Sequence, residues 1–170
     1  MGVVFSIAFT RLERYTPNGF DEVEFMISTN PGEPIRPLAM VASGGELSRI
    51  MLAIKTVLAD SDNIPTLIFD EIDTGISGRT AQKVSEKLCY IAGRHQVLCI
   101  THLPQIAAMA DVHFEIAKET KDGRTITAIR RLSEEEMVME LARLLGGVQI
   151  TDAVIENARE MKRLAKGKKG

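Results

Sequence analysis

Much that would assign a function quickly is missing from these 170 residues. There are two cysteines, Cys89 and Cys99, both in apolar surroundings and without metal or redox spacing. That usage fits a reducing, cytoplasmic compartment. No run is apolar over the roughly 20 residues needed to cross a bilayer, and no leader is recognisable, so no membrane partner is expected. The formal net charge is −2, which gives no global electrostatic case for nucleic acid. A basic cluster, Lys162, Arg163, Lys166, Lys168 and Lys169, closes the chain; it is expected as a solvated, frayed tail over 162–170. No G-x-x-x-x-G-K-[ST] occurs, so the loop that cradles a β-phosphate is absent. Gly167-Lys168 lacks both the preceding glycine and the Ser or Thr. No helix carries heptads for a long coiled coil, and no internal repeat is visible. Met1-Gly2 runs straight into strand-like sequence, so the expectation is of a truncated or engineered start.

What is present reads as one globular domain over 1–170, with 26% charged and 45% hydrophobic residues. Val3 to Phe9 and the alternating Val23, Phe25 and Ile27 flank Pro17-Asn18-Gly19, which predicts an antiparallel hairpin with one buried face. Prolines 31, 34 and 37 punctuate a loop. Leu47, Ile50, Met51, Ile54, Val57 and Leu58 recur at helical spacing, predicting a helix over 46–59. A second helix is expected over 79–92, with Ala81, Val84, Leu88 and Ile91 inward and Gly93 as C-cap. Val97 to Thr101 reads as a buried strand, and Pro104 can open a short helix. A second hairpin is expected around Asp122-Gly123. Ser133 and Glu136 form a capping box before a helix with Met137, Leu141, Leu144 and Leu145 inward. A last helix from about Thr151 has Val154, Ile155, Ala158 and Met161 inward. Helix and strand alternate in the middle, so the class is α/β with a mostly parallel central sheet and added antiparallel hairpins.

Two stretches carry chemistry. In Leu67-Ile68-Phe69-Asp70-Glu71-Ile72-Asp73 an apolar run ends in acids. The run reads as a strand buried on both faces. Asp70 and Glu71 then stand at its carboxyl end, the edge where open α/β sheets bind ligands. Adjacent carboxylates there repel and are partly desolvated unless a cation or a reaction uses them. One acid for Mg²⁺ and one for activating water is the functional reading; simple caps of the next turn is the alternative. In Ala42-Ser43-Gly44-Gly45-Glu46-Leu47-Ser48-Arg49, Ser43 and Glu46 alone make a capping box. Two glycines in a first helical turn, each costing about 1 kcal/mol against alanine, suit an anion approaching bare N–H groups. His102 follows the next strand and should lie near Glu71, since parallel strand ends share one edge. The role of Asp73 stays open, and Arg49 either faces a second molecule or pairs with Glu46.

Ser-Gly-Gly-Glu before an amphipathic helix, then Leu-Ile-Phe-Asp-Glu, then a strand ending in histidine, resembles the C-terminal half of an ABC-type ATPase head of the SMC-like branch. Tyr15-Thr16-Pro17-Asn18-Gly19-Phe20-Asp21, Phe69-Asp70-Glu71-Ile72-Asp73-Thr74-Gly75-Ile76-Ser77-Gly78 and Ile100-Thr101-His102-Leu103-Pro104-Gln105-Ile106-Ala107 bring the resemblance close to the RecN-like family of bacterial DNA repair ATPases. It covers nearly the whole chain. It implies that Ser43, Gly44, Gly45 and Glu46 form the signature motif, which contacts the γ-phosphate of ATP held by an opposing head. It implies Asp70 as the Walker B residue for Mg²⁺, Glu71 as the catalytic glutamate, and His102 as the switch histidine.

Two departures stand out. Ser77 occupies the place where ABC and SMC heads commonly carry an aspartate, and the P-loop is missing. The resemblance therefore implies the C-terminal lobe of a split head. Its partners would be an N-terminal lobe with Walker A and coiled coil, a second head in a homodimer, and DNA, with the intact protein at the nucleoid when engaged. ATP hydrolysis in double-strand break repair and recombination is the expected function, with the isolated chain nearly inactive. A non-catalytic head-docking module, or the head of another SMC-like ATPase, is the alternative. An ABC transporter subunit is disfavoured by Ser-Gly-Gly-Glu and by the Ile72-to-Ser77 loop.

Overall fold

The computed structural model describes residues 3–29, 32–40, 43–61, 63–121, 124–147 and 149–167. The turn residues Asp122 and Gly123, Pro31, and the terminal Lys168 and Lys169 lie outside them.

The first hairpin forms as its alternation predicts. Strands β1 (Val4–Thr16) and β2 (Gly19–Ser28) pair antiparallel, with Phe5 opposite Ile27, Ile7 opposite Phe25 and Phe9 opposite Val23. Gly19 sits at φ +117°, a value an L side chain resists. Thr16 Oγ1 donates to Gly19 O at 2.9 Å and accepts from the Asn18 N–H at 3.2 Å. A short β3 (Arg36–Pro37) pairs with β2. The expected buried face does not materialise. Phe5, Ile7, Phe9, Val23 and Phe25 share a face and are all exposed, and burial begins only at Ile27 and Ser28. Alternation encodes which side is apolar; among the described residues nothing lies over that side.

Helix α1 (Gly44–Leu58) starts two residues before the periodic pattern, because Ser43 caps it, accepting from the Glu46 N–H at 3.2 Å. The cap takes only the serine half of the expected box: Glu46 Oε1 accepts from Thr29 Oγ1 at 3.1 Å. Its buried line is Gly45, Leu52 and, just past its end, Ala59. The stripe expected inward is only partly so. Leu47, Met51, Val57 and Leu58 are exposed, while Ile50 and Ile54 are half-buried. Periodicity marks the helix correctly but cannot tell a face packed within the chain from one left for another.

The central sheet is parallel and, among the described residues, two-stranded. β4 (Thr66–Phe69) pairs with β5 (Gln96–Cys99), Leu67 opposite Val97 and Phe69 opposite Cys99. Helix α2 (Gly78–Ala92) connects them and buries Ala81, Val84, Leu88 and Ile91, as its spacing predicts. Val84, Leu88 and Ile91 join Leu52, Leu67, Phe69, Ile72 and Ile106 in one core. The alternate residues of the strands are not in it. Ile68 is 69% exposed, and Leu98 and Ile100 are exposed with it, so the strand expected to be buried on both faces is buried on one.

Helix α3 (Pro104–Ala107) follows, opened by its proline. β6 (Phe114–Lys121) and β7 (Arg124–Arg131) form the second hairpin. Helix α4 (Glu134–Gly146) carries the full Ser133–Glu136 capping box; its Ser133 N–H and Arg130 hold the Glu136 carboxyl down at about 2. Helix α5 (Asp152–Gly167) packs on α4 through Leu141, Ala142, Ala158 and Ala165. The basic segment is not frayed at Lys162, since the helix runs to Gly167. Lys162 Nζ donates to Ala110 O at 2.6 Å, and Lys166 Nζ lies 3.3 Å from Glu134. The architecture is α/β, helices on one face of a parallel pair with antiparallel hairpins beside it. No helix among the described residues is long and apolar enough to cross a membrane.

Candidate functional site

The acids stand where the strand end puts them. Asp70 is the first residue past β4 and is exposed; its Oδ1 accepts from the Glu71 N–H at 2.9 Å. Glu71 has φ +55°, the one non-glycine residue with positive φ among those described. Such a backbone costs an L-residue about 1–2 kcal/mol and persists only where its surroundings impose it. Here α1 supplies the restraint. Ser48 Oγ donates to Asp70 O at 2.7 Å, and Arg49 Nη1 donates to Ile72 O at 3.1 Å and to Thr74 O at 2.8 Å. The Thr74 N–H closes the turn on Glu71 O at 3.0 Å. Arg49 thus fastens the acidic loop to α1 rather than pairing with Glu46.

The two glycines serve this same approach. A Cβ on Gly45 would stand 2.9 Å from Glu71 O and 3.0 Å from both Arg49 Nη1 and Thr74 Cβ. A Cβ on Gly44 would stand 2.5 Å from Glu71 Oε2. Gly45 is buried and accounted for by backbone packing, whereas Gly44 is exposed and leaves room for the Glu71 carboxylate. The first-turn N–H groups of α1, which have no preceding carbonyl to bond, therefore open beside an acid. Ser43, Gly44, Gly45, Glu46, Asp70 and Glu71 all gather at one edge, around the start of α1 and the end of β4.

His102 reaches that edge from β5, held by Asp73. Asp73 is buried, and its Oδ2 accepts from Thr101 Oγ1 at 2.5 Å and from the His102 N–H at 2.8 Å. The same oxygen lies 3.1 Å from His102 Nδ1, while the His102 side chain is 73% exposed. Burial pushes the Asp73 carboxyl up, but the Thr101 hydroxyl, the His102 N–H and the His102 ring outweigh it and hold it below the usual carboxylate value. Thr101 Oγ1 in turn accepts from the Leu103 N–H at 3.1 Å. Sequence reasoning left Asp73 unassigned and passed over Ser48 and Thr101. The signal was present: in this parallel pair, an acid four residues past the end of β4 meets the polar pair that follows β5.

Cys99 sits beneath the site and is chemically quiet. Burial, reinforced by Asp73 and Asp70, pushes its thiol up to about 12, so no thiolate forms at neutral pH. Two shallow clefts of about 240 and 220 Å³ open elsewhere, one along Arg159, Lys162 and Arg163, the other between Arg130 and Arg143. Neither includes Asp70, Glu71 or His102. The candidate site is an open edge.

No protein-family model matches the chain. It is 54% identical over 151 residues to DNA repair protein RecN of Halalkalibacterium halodurans, a span covering 89% of this chain and 27% of that protein. It is 54% identical over 146 residues to DNA repair protein RecN of Bacillus subtilis, covering 86% of this chain and 25% of that protein. RecN of Vibrio cholerae is 51% identical over 146 residues. The chain spans about a quarter of the length of these curated relatives. A solved structure from work on the ATP-driven dimerization and DNA-stimulated activation of SMC ATPases aligns with TM-score 0.50 and 22% identity, covering 85% of this chain and 83% of that one. That likeness is one of fold.

Proposed function

We propose that this chain is the C-terminal lobe of the ATPase head of a RecN-like protein. It would supply the signature motif, the Walker B acid, the catalytic glutamate and the switch histidine to ATP hydrolysis between two heads in DNA double-strand break repair. The single observation that carries the reading is the convergence of Gly44, Asp70, Glu71 and His102 on one open edge, in a chain similar to RecN over most of its length.

The residues fit the roles. Asp70 is an exposed carboxylate at a strand end, suited to Mg²⁺, which usually takes one or two carboxylates and fills its shell with water and phosphate oxygens. Among the described residues no three His, Cys, Asp or Glu converge into an all-protein cage, and that mode of binding requires none. With the nucleotide, Mg²⁺ supplies charge neutralisation across the phosphates. Glu71 is held by its constrained backbone with its carboxylate beside the α1 N-terminus, where it can orient a water and take its proton. His102 offers an exposed ring that can donate to a γ-phosphate. Ser43, Gly44, Gly45 and Glu46 form the helix start that suits a phosphate held by a second head.

The open edge supports a divided site. The exposed faces of β1–β2 and β4–β5 are apolar surfaces without cover among the described residues, and a lobe carrying the P-loop is the partner proposed for them, with DNA and a second head engaged by the assembled protein. The test is ATP turnover when a P-loop lobe is supplied with this chain. Turnover abolished by Glu71→Gln supports the enzyme reading. Association without turnover supports the alternative, a head-docking module.

A further inference from the structure

We propose that Asp73 is a positioning residue that fixes the direction of the His102 ring, so that it presents Nε2 to the phosphate. The inference rests on the ATPase reading and goes beyond it, since Asp73 touches no substrate position itself.

Two hydrogen bonds and a ring contact converge on one oxygen. Asp73 Oδ2 accepts from Thr101 Oγ1 at 2.5 Å and from the His102 N–H at 2.8 Å, and stands 3.1 Å from His102 Nδ1. The backbone bond places the residue; the ring contact sets its direction, since an acceptor-only carboxylate draws the Nδ1 side of the ring toward itself. Nε2 is then left on the outer end of a ring that is 73% exposed. Meanwhile the carboxylate itself is buried, so it is not available to take water's place at the site.

The burial of Asp73 also explains why the arrangement is specific. A buried carboxylate is costly unless its lone pairs are used. Thr101, itself tied to the Leu103 N–H at 3.1 Å, uses one and the His102 N–H another, and the ring stands against the same oxygen. Asp73 lies on the same loop as Glu71, two residues on, and that loop is fastened to α1 by Arg49 through Ile72 O and Thr74 O. The histidine and the glutamate are therefore positioned from one rigid segment.

Asparagine has nearly the same shape but carries no charge and offers one acceptor oxygen and a donor amide, so it cannot hold both donors and also attract the ring, which is left free to turn. In the complete protein carrying its P-loop lobe, Asp73→Asn is expected to lower the turnover number for ATP at least tenfold while KM stays within about twofold. His102→Ala is expected to cost a similar factor, and the double variant no more than the worse single one, because both remove one function. A second reading needs no activity: the nitrogen chemical shift of His102 Nδ1 should differ between the wild type and Asp73→Asn, reporting loss of the carboxylate contact. Multiplied losses in the double variant, a turnover number unchanged by Asp73→Asn, or His102 nitrogen shifts that do not change between the two proteins would overturn the inference while leaving the ATPase reading intact. Absence of any Glu71-dependent hydrolysis in the complete protein would overturn both.

Discussion

Glu71 Oε2 lies 2.5 Å from the point where a Cβ on Gly44 would stand. The glutamate and the glycine come from stretches more than two dozen residues apart, yet they share one space. Glycine at 44 therefore answers to the acid as well as to any phosphate. Gly44→Ala is expected to push the Glu71 side chain aside. Because that carboxylate is the free end of a flexible chain, and alanine gains about 1 kcal/mol in a helix, thermal stability should hold or rise slightly. ATP turnover of the complete protein should fall at least tenfold.

Gly45→Ala should behave in the opposite way. Its Cβ would meet the Glu71 carbonyl and two other groups at 2.9–3.0 Å, and a backbone oxygen cannot step aside. Overpacking typically costs about 1–3 kcal/mol, which exceeds the helix gain. Calorimetry of the two variants side by side checks the contrast.

Glu71 itself sits at φ +55°, so Glu71→Gly should relieve about 1 kcal/mol of strain and raise the melting temperature by a few degrees. The same change removes the carboxylate and should abolish hydrolysis. Glu71→Gln should abolish hydrolysis with little change in melting temperature. A site held at the expense of stability is what separates the two outcomes.

Arg49→Ala removes donors to Ile72 O and Thr74 O. Hydrogen bonds from a charged donor contribute about 1.5–3 kcal/mol, and both leave from Nη1, which lies beyond the end of the shorter Lys chain. Hydrogen exchange at the Thr74 and Ile76 N–H groups, which close the loop on Glu71 O and Asp73 O, should accelerate in both Arg49→Ala and Arg49→Lys.

The tie between the two strand ends should also respond to acid. The carboxyl of Asp73 is held below its usual value, chiefly by Thr101 and His102 against the opposing effect of burial. A folded value below the unfolded one means the stabilisation is fully present above the unfolded value, about 3.9, and fades as pH falls through the folded one. Unfolding midpoints of wild type and Asp73→Asn should differ at neutral pH and converge at strongly acid pH.

Local order was legible in the sequence, and its partners were not. Caps and periodicity placed α2, α4 and α5 within a residue or two, turn residues located the two hairpins but not the full length of their first strands, and the strand end located Asp70, Glu71 and His102. Burial was misjudged wherever an apolar face has no cover among the described residues. Ile68, Leu98, Met51 and Phe9 read as core because their pattern is that of core. Asp73 and Arg49 were unreadable for a different reason. Their bonds are to backbone groups and side chains brought near by pairing of β4 with β5 and by packing of α1 on the loop, which no local window contains.

The central claim is that this chain holds one half of a divided ATPase site, and ATP turnover with and without a P-loop lobe tests it most directly. The chain alone should hydrolyse ATP negligibly, addition of the lobe should produce turnover, and Glu71→Gln in the same mixture should abolish it. Robust Glu71-dependent turnover by the chain alone, or none when the two lobes are associated, would contradict the account.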